Sequence, residues 1–268
     1  MINNRPIGFL DSGVGGLTVV KEALRQLPNE TVCYIGDTAR CPYGPRPIEQ
    51  IKEYTWDMVQ FLLEKDVKMI VFACNTATAI VLNEIKEKLK IPVVGVIKPG
   101  ARASVKVTRT KHIGVIGTVG TVTSQSYTQA IHDKISQARV TELACPKFVP
   151  IVESKQYQSE IAERVVNETL VPLKNQTIDT LILACTHYPL LKSFIQKSMG
   201  DNVTLVDSGV ETVSEVSMLL DYYDISAAPL GKSKKHKFFM TGSKAMFDDI
   251  SKDWLGLTKI NSERVIFK

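Results

Sequence analysis

Residues Ile7-Gly-Phe-Leu-Asp-Ser-Gly-Val-Gly-Gly16 return in altered form as Ile113-Gly-Val-Ile-Gly-Thr-Val-Gly-Thr-Val122. Each stretch is a short apolar run that breaks into small residues, the pattern of a buried strand turning tightly into a helix. Two further pairs follow the same order. Cys41-Pro42 matches Cys145-Pro146, and Ile70-Val-Phe-Ala-Cys74-Asn-Thr76 matches Leu181-Ile-Leu-Ala-Cys185-Thr-His187, so the three offsets are 106, 104 and 111 residues. One such match is common in α/β chains, but three in order at nearly constant spacing indicate a duplicated unit.

Working outward, residues 7–10, 32–35, 69–73 and 93–96 read as buried strands, with helices over 17–27, 48–63 and 77–89 between them. In the second helix Ile48, Ile51, Thr55, Met58 and Leu62 repeat at three and four residues, as one helical face requires. The alternation restarts with strands over 113–116, 140–144, 180–184 and 204–206 and helices over 124–135, 159–173 and 190–199. A helix over 211–222, a Pro/Gly/Lys-rich stretch, a strand over 238–240, a helix over 243–254 and a strand over 265–267 close the chain. Strand–helix alternation implies parallel sheets with right-handed crossovers. The expectation is an α/β fold of two pseudo-symmetric, doubly wound parallel-sheet lobes, residues 1–97 with 208–268 and residues 98–207. Open α/β sheets bind ligands beyond the carboxyl ends of their strands. The active site is therefore expected in the cleft between the lobes.

The 268 residues carry a net charge of +5, with 44% hydrophobic and 23% charged residues, the balance of a folded globular chain. The longest apolar runs, such as 69–74, fall far short of the roughly 18 residues that span a bilayer. The first residues offer no apolar signal core, so a cytoplasmic location and no membrane partner are expected. The five cysteines, at 33, 41, 74, 145 and 185, form no Cys-x-x-Cys pair, which argues against a structural zinc site and, in a reducing compartment, against disulfides. The run Lys232, Lys234, Lys235 and Lys237 lacks interleaved aromatics and reads as a solvated linker, and no nucleic-acid partner is expected.

Cys74 and Cys185 each close an apolar strand just ahead of an expected helix. One such cysteine is ordinarily a packed small hydrophobe. Two at equivalent positions of a repeated unit point to chemistry. A free thiol titrates near pH 8.5, and bringing it to 7 takes about 2 kcal/mol. A helix N-terminus contributes about 0.3 to 2 kcal/mol, so a neighbouring group has to assist. Two thiols across a cleft suit inversion at a carbon: one, ionised, removes a proton, and the other, protonated, returns one to the opposite face. Thiol–disulfide exchange is the competing chemistry, and it ordinarily uses close pairs. Cys41 and Cys145 each precede proline and read as turn residues, with Cys41 beside the cleft.

The loop Asp11-Ser-Gly-Val-Gly-Gly16 matches neither G-x-G-x-x-G nor G-x-x-x-x-G-K-[ST]. Its glycines allow close backbone approach and positive φ, and its N–H groups suit a carboxylate. Asp11 reads equally well as a turn residue. Asn75, Thr76 and Thr186 read either as helix caps or as hydrogen-bonding partners of a substrate's amine and carboxylates. His187, two residues past Cys185, is placed to exchange protons. His112, His132 and His236 have no such context and read as structural.

Asp11-Ser-Gly-Val-Gly-Gly-Leu-Thr18, Cys41-Pro-Tyr-Gly44, Ala73-Cys-Asn-Thr-Ala77 and Leu183-Ala-Cys-Thr-His-Tyr-Pro189 resemble, in order, the motifs of the bacterial glutamate racemases of the aspartate/glutamate racemase family. The resemblance implies a homodimeric, cofactor-independent enzyme, without metal, that interconverts L- and D-glutamate for peptidoglycan. It matches Cys74 and Cys185 to the two catalytic bases, Asp11 to the carboxylate assisting the first and His187 to the imidazole assisting the second. Ser12, Tyr43, Gly44, Asn75, Thr76 and Thr186 match substrate-binding positions, with Asp11 and His187 also at the substrate. Glu153, after Val149-Pro-Ile-Val152, resembles a further acid near the second thiol. Other readings are an aspartate racemase or a maleate-isomerase-like enzyme of the same superfamily, and a two-lobed solute-binding protein, which the paired thiols disfavour.

Overall fold

Every strand pair in the computed structural model, which describes residues 2–229 and 235–267, runs parallel. The strands are β1 (Ile7–Asp11), β2 (Val32–Gly36), β3 (Met69–Phe72) and β4 (Val93–Gly95), then β5 (His112–Gly117), β6 (Arg139–Ala144), β7 (Thr180–Ala184) and β8 (Thr204–Asp207), and finally β9 (Lys237–Met240) and β10 (Ser262–Arg264). The chain divides into two units, Met1–Val96 with Thr212–Lys268, and Ile97–Glu211. The first holds a six-stranded sheet in the order β10-β9-β2-β1-β3-β4, the second a four-stranded sheet in the order β6-β5-β7-β8. The expected two-lobed parallel α/β architecture is therefore the observed one. Lys232 and Lys234 of the basic run lie outside the described residues.

Parallel strands are covered on both faces by their crossover helices, so they read as unbroken apolar runs. β1, β2, β3 and β7 are buried at every residue. The helices Leu17–Gln26, Ile48–Glu64 and Asn75–Lys88 make the crossovers from β1 to β4, and Lys244–Leu255 makes the one from β9 to β10. The second of them buries Ile51, Thr55, Met58 and Leu62 against Leu10 and Phe72 in one core, while Ile48, at its first position, stays exposed.

Punctuating residues hid three features. The helix Ile97–Val107 contains Pro99-Gly100, and the helix Phe148–Glu153 contains Pro150. Proline is tolerated in a first turn because its missing N–H would be unbonded there anyway. The helix expected over 159–173 breaks into Glu160–Thr169 and Val171–Lys174, with Pro172 opening the second piece. The last strand is Ser262–Arg264, not 265–267: its polar, exposed residues pair through backbone, while Val265 and Phe267 pack on the core just beyond it.

Lys68, just ahead of β3, is buried and bonds Glu30 at 2.6 Å, Asn3 O at 2.7 Å and Ile225 O at 2.7 Å. Breaking a buried pair leaves an uncompensated charge, at a cost of about 3 kcal/mol. Lys68→Met is expected to lower the unfolding midpoint by about 6–12 °C, and Glu30→Gln added to it to recover part of the loss, as measured by thermal denaturation. Among the described residues no helix is long and apolar enough to cross a membrane.

Candidate active site

Two half-sites lie at the carboxyl edges of the two sheets, one in each unit. In the first, Cys74 follows β3 and is the N-cap of the helix Asn75–Lys88, its Sγ accepting the Ala77 N–H at 3.5 Å. A sulfur thus occupies the place usually taken by a serine or aspartate oxygen. Asn75 and Thr76 are consequently the first helical residues, not caps, and both are buried. Burial pushes the Cys74 thiol up to about 12, the negative Asp11 adds to this, and the Ala77 N–H and Ser12 oppose it. The helix N-terminus acts in the expected direction but is outweighed by desolvation. As a thiol, Cys74 Sγ donates to Ser12 Oγ at 3.6 Å; to a thiolate the serine hydroxyl would turn and donate.

Asp11 is wholly buried at the end of β1, and its Oδ1 accepts the Gly13 N–H at 2.9 Å. The turn bond and the charge felt by the Cys74 thiol thus belong to one side chain. The glycines of this loop provide room, not positive φ: among the described glycines only Gly200 and Gly256 have positive φ. A Cβ on Gly16 would stand 2.6 Å from Asp11 Cβ, and one on Gly36 would stand 2.3 Å from Gly13 O. That carbonyl accepts the Tyr34 hydroxyl at 2.7 Å, which fixes the loop on β2.

The loop bearing Cys41-Pro-Tyr-Gly44, with a cis Cys41–Pro42 bond, hangs on Asp37. Asp37 accepts from Tyr43 Oη at 2.5 Å, Arg40 Nε at 2.7 Å and Thr241 Oγ1 at 2.8 Å. Sequence reading passed over Asp37. Its signal was position, since it directly follows β2 as Ser12 follows β1, one place past the Asp11–Gly36 register pair. Tyr43 is buried, and burial together with Asp37 holds its phenol far above its ordinary value. Its hydroxyl is committed to Asp37, so what Tyr43 and half-buried Gly44 offer a ligand is backbone.

In the second half-site Cys185 follows β7, but no α-helix starts there. Tyr188–Leu191 forms a 3₁₀ turn, with Pro189 near its start, and the α-helix begins only at Lys192. The duplication breaks at this point: beside Cys185 stands the side chain of His187, where Cys74 has the start of a helix. His187 Nδ1 lies 3.8 Å from Cys185 Sγ and 3.5 Å from Thr186 Oγ1, and His187 Nε2 lies 3.1 Å from Glu153 Oε1. Burial disfavours a charge on His187, but the Cys185 sulfur and the Glu153 carboxylate outweigh it and push the imidazolium up to about 10. Glu153 ends the helix Phe148–Glu153 and is the half-exposed member of the group. Cys33 and Cys145 are buried thiols, each pushed up to about 12 by burial, which fits packing roles. Among the described residues no three His, Cys, Asp or Glu side chains are grouped to hold a metal ion.

Asp11, Ser12, Cys74, Asn75 and Thr76 are thus gathered in one half-site with the Tyr43–Gly44 loop close by, and Cys185, Thr186, His187 and Glu153 in the other. Residues 10–216 match the family model of the Asp/Glu/hydantoin racemases. A glutamate racemase of Enterococcus faecalis is 60% identical over 265 residues, 99% of this chain and 97% of that one. The crystal structure of glutamate racemase isoform RacE1 from Bacillus anthracis superposes with a TM-score of 0.95 at 48% identity, covering 98% of both chains. That of the Thermus thermophilus glutamate racemase in complex with β-chloro-D-alanine gives 0.89 at 36% identity, covering 100% of this chain and 99% of that one. The chain belongs to the Asp/Glu/hydantoin racemase family, among its glutamate racemases, and is an amino-acid racemase.

Proposed function

We propose that the chain interconverts L- and D-glutamate by moving the Cα proton between two thiols, Cys185 working on the L enantiomer and Cys74 on the D. One observation carries this reading: each unit has a buried cysteine at the end of an equivalent strand, and each cysteine has its own ionisable neighbour, Asp11 for Cys74 and His187 for Cys185. The two ends differ in the groups around the sulfur. Cys74, pushed up to about 12, keeps its proton at neutral pH and is ready to donate. His187, its imidazolium pushed up to about 10, faces the Cys185 sulfur at 3.8 Å. In this account the free enzyme is set for L-glutamate: Cys185 takes the Cα proton and Cys74 protonates the opposite face. Asp11 then accepts the Cys74 proton when D-glutamate is the substrate. Ser12, Asn75, Thr76 and Thr186 offer hydroxyl and amide groups to the substrate's ammonium and carboxylates. The backbone N–H groups of Tyr43 and Gly44 suit one carboxylate.

The same account needs neither metal nor organic cofactor, and its D-glutamate product supplies peptidoglycan synthesis; the working form is a homodimer. Dialysis against a strong chelator is expected to leave kcat within about twofold of the untreated enzyme. Loss on chelation with recovery on adding metal contradicts this. The test of the function follows the optical rotation of L-glutamate and of L-aspartate, and the ultraviolet absorbance of maleate as it becomes fumarate, with purified protein. L-Glutamate is expected to decay to the racemate, with kcat/KM at least about a hundredfold above that for L-aspartate. Preference for L-aspartate, or conversion of maleate alone, overturns the assignment.

A further inference from the structure

We propose that Tyr188 is a positioning residue for proton transfer at Cys185, bracing the Cys185–His187 turn against the helix that carries Glu153. The inference rests on the reading of Cys185 as the base for the L enantiomer. Tyr188 is wholly buried, and three contacts of its own define its place. Its N–H donates to Cys185 O at 3.1 Å, which closes the turn that holds Thr186 and His187. Its hydroxyl donates to Cys145 O at 3.0 Å. The same carbonyl accepts the N–H of Phe148, the first residue of the helix Phe148–Glu153, at 3.2 Å. The Tyr188 ring meets the Phe148 ring edge-on, with centroids 5.1 Å apart at 70°. From the far end of that helix Glu153 returns to His187 Nε2 at 3.1 Å.

These contacts close a ring: Cys185, His187, Glu153, the six-residue helix, Phe148, Tyr188 and back to Cys185. Every member except Tyr188 and Phe148 is either an ionisable group of the half-site or the backbone between them. A phenylalanine would fill the same space, so the hydroxyl is the informative atom. Its single acceptor is the carbonyl from which the Glu153 helix also starts. A helix of this length is a lever of about 9 Å, so slack at Phe148 reappears at Glu153 and displaces the group that holds His187 cationic. Burial, reinforced by the nearby Cys185 and Cys145, holds the phenol well above its ordinary value, so it remains a donor at every working pH.

The test uses Tyr188→Phe with L- and D-β-chloroalanine, which report proton abstraction alone. A thiolate takes the Cα proton, the C–H electrons form the Cα–Cβ double bond, chloride leaves, and the enamine hydrolyses to pyruvate and ammonia. For the L isomer kcat is expected to fall about tenfold with KM within about twofold, because a misplaced assisting group costs rate more than binding. The basic limb of its pH profile should move to lower pH as His187 loses its carboxylate. The D isomer should react within about twofold of wild type. Phe148→Leu, which keeps the hydroxyl and removes the ring beneath it, is expected to show the same selectivity. Equal losses for both isomers, or no loss for either, overturn the proposal. Cys185→Ser, run in parallel, separates this from failure of the parent reading. If it retains only D elimination, the reading stands and Tyr188→Phe is judged on the L isomer. If the preference is reversed, Tyr188→Phe is judged on the D isomer. If both isomers still eliminate, the parent reading falls and the brace falls with it.

Discussion

Cys74→Ser and Cys185→Ser are each expected to lose glutamate racemisation by at least about a thousandfold, a barrier increase of about 4 kcal/mol, while each keeps elimination from one enantiomer of β-chloroalanine. Inversion needs a base and an acid on opposite faces, so the loss of either thiol stops it in both directions. Serine preserves the shape but is far less acidic than cysteine and does not serve as the base. At Cys74 it can still accept the Ala77 N–H as an ordinary N-cap, so the local fold has a reason to survive. Elimination needs only the first abstraction. Cys74→Ser should therefore keep the L isomer and Cys185→Ser the D isomer, each within about tenfold of wild type. A variant that eliminates from both isomers at similar rates contradicts the assignment of one thiol to each face.

Asp11→Asn and His187→Asn are expected to slow the two directions unequally, each by about a hundredfold or more in the direction it serves. Asp11 stands by the thiol proposed to act on D-glutamate, so Asp11→Asn should depress kcat chiefly from D to L. His187 stands by the thiol proposed to act on L-glutamate, so His187→Asn should depress kcat chiefly from L to D. The equilibrium constant between enantiomers is one, so the two kcat/KM values must remain equal and the KM values must move with kcat. The pH dependence has a definite sign. The folded His187 is held at about 10, above its ordinary value near 6.5. Its ion pair therefore contributes stability that is fully present below pH 6.5 and lost as pH rises through 10. The L-to-D rate should fall over the upper part of that range, and His187→Asn should abolish this limb. Equal kcat losses in both directions for both variants contradict separate roles.

Much of this was legible in the residues because parallel sheets write themselves plainly. Buried strands such as Ile7–Asp11 and Thr180–Ala184 are unbroken apolar runs, and their small-residue endings mark the carboxyl edge. The repeat pairs four of the five cysteines, and position at the end of an apolar strand then sets Cys74 and Cys185 apart from Cys41 and Cys145. The helices Ile97–Val107 and Phe148–Glu153 stayed hidden because proline and glycine, which normally mark loops, sit in their first turns. That concealment hid the support of Glu153, whose bond to His187 spans 34 residues of sequence. Asp37 was missed because its bonds to Arg40 and Tyr43 form within an irregular loop that no periodicity marks, and Thr241 is 204 residues away. The helix expected over 190–199 is present from Lys192, but a 3₁₀ turn holding Pro189 separates it from Cys185, where in the first unit the helix starts directly at Cys74.

The most direct measurement follows wild-type enzyme and L-glutamate in D₂O, reading deuterium at Cα of each enantiomer by mass spectrometry and chiral separation while conversion is still small. Two thiols of separate duty predict that nearly all of the D-glutamate formed carries solvent deuterium, while unreacted L-glutamate stays almost wholly protiated. D-Glutamate that retains the substrate's own proton, or deuterium that enters both enantiomers at equal rates from the start, would mean that one base serves both faces and would contradict the account.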